Sequence, residues 1–167
     1  MAQNISLFIC FLTLIPVWAQ TGEVRDCQPC RFSLAKGQEE SVRFEWSREG
    51  RTRQLRALLV GSQRLEIHDA EQLGPEETVF FDVPDIDFDG TPDLQVIVER
   101  GMPNATAMYW RYLKDAKRYE AVGAYPVFTL DAKRKTLTAY VKRGAAGRNS
   151  TKTIYTWRQG KLVKLPR

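Results

Sequence analysis

Four aspartates, Asp85, Asp87, Asp89 and Asp93, crowd into the stretch Asp85-Ile-Asp-Phe-Asp-Gly-Thr-Pro-Asp93, where alternate carboxylates could converge on one ion. They occupy positions 1, 3, 5 and 9 of a short loop, and Gly90 at position 6 supplies a sharp turn. A hard divalent cation takes about six to eight oxygens, so these carboxylates and the carbonyl of Thr91 at position 7 form a candidate ligand set for Ca2+. The competing reading is a solvated acidic turn closed by hydrogen bonds from the aspartate side chains to nearby backbone. Four carboxylates in one turn repel one another, and a divalent cation removes that repulsion, which favours the metal. Position 12, where an EF-hand carries a bidentate Glu, is Val96, inside an alternating apolar run. The loop is therefore a connection between strands and not an EF-hand.

Strands are expected on both sides of this loop. Residues 79–83 and 94–98 alternate apolar and polar side chains on either side of it. The same period of two recurs at 42–46, 55–59, 65–67, 108–113, 119–122, 127–130, 136–141, 153–157 and 162–165, between turns rich in Gly, Asp and Lys. This grammar predicts an all-β fold: an antiparallel meander forming a sandwich or small barrel, with one calcium loop between strands. Residues 66–74 alone suggest a helical turn.

The first 19 residues have an almost wholly apolar run from 5 to 18 and end in Val17-Trp18-Ala19. They read as a secretory signal peptide, which leaves a soluble, periplasmic mature protein with no membrane anchor. Residues 20–39 form an N-terminal segment holding Cys27 and Cys30, and residues 40–167 form a single all-β domain. In an exported protein a C-x-x-C pair is first a disulfide; redox chemistry and free thiols are the alternatives. Charge is split: residues 20–100 carry 10 Lys+Arg against 17 Asp+Glu, and residues 101–167 carry 15 against 3. The asymmetry implies either two faces of opposite sign or internal neutralisation, and it keeps an acidic partner in play.

Catalysis finds little support. His68 is the single histidine and has no evident nucleophile beside it. Carboxylates engaged on calcium are poorly suited to general acid work. Tyr155 and Trp157 lie on one strand face among Lys and Arg, a pattern that could stack nucleic acid, but core packing with a solvated basic face explains it better. No nucleic-acid partner is expected.

Two loops, 101–107 and 144–150, are longer and richer in small residues than tight hairpins require. Loops on a rigid sheet often carry contacts, and Gly144, Gly147, Arg148, Asn149 and Ser150 are the candidate partner-binding residues. The sequons at Asn104 and Asn149 are read as incidental.

The calcium loop, the aromatic strand Tyr109-Trp110-Arg-Tyr112, Tyr119, Pro126 and the closing Tyr155-x-Trp157-x-x-Gly160-Lys161-Leu162 resemble bacterial periplasmic calcium-loop proteins related to immunity proteins of antibacterial type IV secretion systems. The resemblance covers residues 77–165. It implies a lysozyme-inhibitor-like β fold, calcium held by Asp85, Asp87, Asp89, Thr91 and Asp93, and a protein partner that is a peptidoglycan-degrading, lysozyme-like hydrolase. Inhibitors of that fold insert a loop bearing Ser and Tyr; the loop here has Arg148, Asn149 and Ser150 and no Tyr. The alternative function is a calcium-stabilised envelope adhesion module for glycan or protein. Oligomeric state is not legible.

Overall fold

The computed structural model describes residues 29–101, 104–143 and 149–166. Thirteen strands and no helix occur among the described residues, in three antiparallel sheets that follow chain order. The first sheet holds β1 (Cys30–Ala35), β2 (Gln38–Glu49), β3 (Thr52–Val60) and β4 (Gln63–Glu66), with β5 (Gln72–Leu73) added on β3. The second holds β6 (Phe81–Asp82), β7 (Leu94–Glu99), β8 (Thr106–Leu113) and β9 (Arg118–Pro126). The third holds β10 (Phe128–Asp131), β11 (Thr136–Arg143), β12 (Asn149–Arg158) and β13 (Lys161–Lys164). The expected meander is present, and all three strand orders are open.

The second sheet is covered on both faces, which its apolar runs explain. Leu94, Val96, Val98 and Trp110 join Val42, Phe44, Leu55 and Leu58 of the first sheet in one buried cluster. Ala107 and Tyr109, with Ile97 packed against them, join Phe128, Leu137 and Ala139 of the third sheet in another. Successive residues of a strand point to opposite faces, so Val96 and Ile97 serve different cores. Each fully buried aliphatic side chain contributes about 1.5–3 kcal/mol, so neither cluster could be given up without loss of the fold. Tyr155 and Trp157 line the second cluster from β12, as their shared strand face suggests. His68 is exposed.

Three expectations need correction. Residues 66–74 form no helical turn. Ile67, Ala70 and Leu73 have the three-residue spacing of a helix face and are buried, yet Leu73 lies in β5 and the other two in irregular chain. Ile67 N–H donates to the Arg56 carbonyl at 2.8 Å, Gln54 Nε2 donates to the Ala70 carbonyl at 2.5 Å, and Glu71 N–H donates to the Val98 carbonyl at 2.7 Å. Tertiary partners thus satisfy the backbone that a helix would have satisfied internally. Second, strands begin before residue 40: β1 lies within the N-terminal segment 20–39 and pairs with β2, Cys30 facing Val42. Third, Asn149 and Ser150 do not sit at a loop tip. They begin β12, opposite Arg143 and Lys142 of β11.

The signal peptide, Cys27, and the loop residues Gly144, Gly147 and Arg148 lie outside the described residues. No helix among the described residues is long and apolar enough to cross a membrane.

Candidate metal centre

The aspartate loop joins β6 to β7, the hairpin partners anticipated on either side of it, with Phe81 opposite Val96 and Asp82 opposite Gln95. Its neck is closed by Asp93 N–H donating to the Pro84 carbonyl at 2.8 Å. Inside the neck, the Asp93 carboxylate accepts Ile86 N–H on Oδ2 at 2.9 Å and Tyr112 N–H on Oδ1 at 2.7 Å. Asp93 is 1% exposed, so it ties the start of the loop and β8 together from within the protein. Ile86, fully buried in the second cluster, anchors the same turn.

Above this anchor the chain wraps around its own carboxylates. Asp89 N–H donates to Asp85 Oδ1 at 3.0 Å and to Asp87 Oδ1 at 3.2 Å; Gly90 N–H donates to Asp85 Oδ2 at 2.9 Å; Thr91 N–H donates to Asp89 Oδ1 at 2.8 Å. The wrap needs two residues in the left-handed region, Phe88 at φ 60° and Gly90 at φ 84°. Phe88 is held there by packing on the second cluster, whereas Gly90 has open space around it. The result is that one oxygen each of Asp85, Asp87 and Asp89 lie within 4.8 Å of one another.

That spacing suits a hard cation. Oxygens bound to calcium at about 2.3–2.6 Å can stand up to roughly 5 Å apart across the ion, so these three can share one shell as they stand. Thr91 is buried at position 7 beside them. Two cations flank the cluster: Lys114 Nζ donates to the Asp89 carbonyl at 2.7 Å and lies 3.3 Å from Asp89 Oδ2, while Arg111 Nε is 4.0 Å from Asp87 Oδ2. Despite them, burial, and then the neighbouring Asp89 and Asp85 charges, hold the Asp87 carboxyl above its ordinary range. Asp93 is pushed up to about 8, chiefly by burial, with Asp87 and Asp85 adding to it against the backbone hydrogen bonds. The loop can therefore accept further positive charge.

Of the five expected ligands, the structure gathers the carboxylates of Asp85, Asp87 and Asp89, while that of Asp93 accepts two backbone N–H groups as a clamp. Sequence reasoning missed the connection from the loop to the third sheet. Trp157 Nε1 donates to the Ile86 carbonyl at 2.6 Å, and the Arg111 guanidinium stacks over the Trp157 ring at 4.9 Å while also pairing with Glu120 at 3.0 Å. Asn104, read as an incidental sequon, exchanges two hydrogen bonds with the backbone of Lys142, at 3.0 and 2.7 Å.

No family model, no curated protein and no solved structure matches the chain.

Proposed function

We propose that this is an exported calcium-binding protein that binds another protein, a peptidoglycan-degrading, lysozyme-like hydrolase, and inhibits it. The observation that carries the metal reading is the gathering of Asp85, Asp87 and Asp89 in a loop tied to β8 by Asp93 and to β12 by Trp157. All the side-chain donors are carboxylate oxygens, which suits calcium over softer metals. Calcium in this role stiffens the connection between the second and third sheets and leaves the chemistry of binding to other residues.

The inhibitory role rests on the resemblance described above, and on the basic later half, which suits the carboxylate pair of a glycan-hydrolase cleft. In this reading Arg148, with Asn149 and Ser150 at the head of β12, presents cationic and hydrogen-bonding groups to those carboxylates. Cys27 and Cys30 form a disulfide at the start of β1, and the protein acts in the periplasm without catalysis of its own.

The test is digestion of peptidoglycan by a lysozyme-like hydrolase from the same envelope, with and without the calcium-loaded protein. Inhibition at stoichiometric protein, weakened by Arg148→Ala and Asn149→Ala, is the expected result. Unimpaired hydrolysis by every such enzyme that can be pulled down or tested would overturn the inhibitory reading while leaving the calcium site standing.

A further inference from the structure

The two outer sheets treat charge in different ways. On the first sheet Arg64 of β4 pairs with Glu45 of β2 across β3 at 2.6 Å and with Glu66 of its own strand, so this cation is neutralised on the sheet. Residues 128–166 carry Asp131 as their one acid, and Arg134 is already paired with it.

The register fixes what the outward face of the third sheet presents. Leu137 and Ala139 point into the core at 0% and 1% exposure, so Thr138, Tyr140 and Lys142 point out. Tyr140 stands opposite Lys152, Thr138 opposite Ile154, Thr156 opposite Val163, and Arg158 opposite Lys161. Tyr140 is 50% exposed, and neither it nor Ile154 nor Val163 belongs to a buried cluster. Lys142, Lys152, Arg158 and Lys161 take part in no ion pair among the described residues. The face is thus a short apolar and aromatic stripe with unneutralised cations around it.

We propose that this face docks on an anionic lipid bilayer. Its size argues for that occupant. The named residues run along β12 from the position opposite Lys142 to Arg158, about 26 Å, and across three strands separated by two gaps of about 4.8 Å, a patch of roughly 250 Å2. A stable protein partner buries about 800 Å2 on each side. Its composition argues the same way: three of the four cations are lysines, point charges suited to mobile headgroups, where a fixed carboxylate geometry favours arginine. A half-exposed tyrosine is at home at the level of the headgroups. The contact is peripheral and uses none of the aspartates of the metal loop.

The test is sedimentation of the full chain with vesicles of phosphatidylglycerol and phosphatidylethanolamine against vesicles of phosphatidylcholine alone, in EDTA so that calcium cannot bridge protein to lipid. Anionic vesicles should be preferred at about 50 mM salt, and the preference should fade at about 500 mM as the charges are screened. Each cation removed should weaken partitioning about fivefold, so Lys142→Gln with Lys152→Gln should weaken it about 25-fold. Arg43→Gln on the first sheet should leave it unchanged, and the melting temperatures of all variants verify that they are folded. Equal partitioning into both vesicles, or an unaffected Lys142/Lys152 double variant, overturns the proposal. Indifference to vesicles combined with salt-sensitive retention on an immobilised acidic protein overturns it too, and assigns the face to a protein partner.

Discussion

Asp93→Ala separates the two roles that one aspartate can have in this loop. The substitution removes the acceptor of both Ile86 N–H and Tyr112 N–H at a position that is 1% exposed. Leaving a buried donor without a partner costs about 1–3 kcal/mol. Two such donors give about 2–6 kcal/mol, and relief of the buried carboxylate, itself pushed up to about 8, offsets a part of this. A net loss of about 2–4 kcal/mol in a folded chain of roughly 140 residues corresponds to a fall in Tm of about 7–14 °C. Asp93→Asn should recover little of it, because its amide nitrogen would face one of the same N–H donors. The assay is thermal and urea unfolding in EDTA, beside Asp87→Ala as the comparison. Asp87 lies among like charges and accepts one loop hydrogen bond, so Asp87→Ala should be near neutral without metal and should abolish any gain from calcium. If Asp93→Ala melts within about 2 °C of the parent in EDTA and loses only its calcium response, Asp93 is simply a ligand and the clamp is refuted.

Calcium at a hundredfold excess over its Kd should stabilise the protein by about 2.7 kcal/mol, a rise in Tm of about 9 °C that chelation reverses; no shift at saturating calcium would exclude the metal. Gly90→Ala has room for its methyl group but keeps φ at 84°, so scanning calorimetry should show a loss of about 1 kcal/mol from backbone strain alone. Trp157→Phe keeps the ring and loses the bond to Ile86; it should cost about 1 kcal/mol and remove a calcium-dependent change in tryptophan emission, and an emission change that survives would locate the reporter elsewhere. Burial raises the Asp82 carboxyl against a single bond from Val83 N–H, so its neutral form favours the fold. Its stabilising effect is complete below the unfolded value of 3.8 and is lost as pH rises through the raised folded value. Asp82→Asn should therefore gain stability relative to the parent as pH climbs above about 4, measured as the difference in urea midpoints; a difference that is flat with pH would count against it.

Strands such as β7 were legible because they bury a face with period two, and the loop because four aspartates stand around a glycine. β1 has the same alternation in Cys30, Phe32 and Leu34, but it is not read as a strand when the cysteine pair is taken as the organising feature of residues 20–39. Other features depend on contacts that spacing does not encode. Val96 and Ile97 look alike as residues of an apolar run, and only the arrival of the first and third sheets on opposite sides gives them different cores. Ile67, Ala70 and Leu73 mimic a helix face, and the deciding hydrogen bonds come from Arg56, Gln54 and Val98. The Trp157 bond to Ile86 spans 71 residues of sequence.

Asp93 shows why the division falls where it does. In the one-dimensional pattern its carboxylate is equivalent to those of Asp85, Asp87 and Asp89, and a ligand count treats all four alike. In the fold, the return of the chain into β7 carries Asp93 under the loop, where the backbone of Ile86 and Tyr112 meets it before solvent can. The chemistry of a residue type was readable, but its allocation between holding an ion and holding the chain is decided by which neighbours reach it. A motif can therefore nominate donors, and burial together with hydrogen-bond partners must assign them.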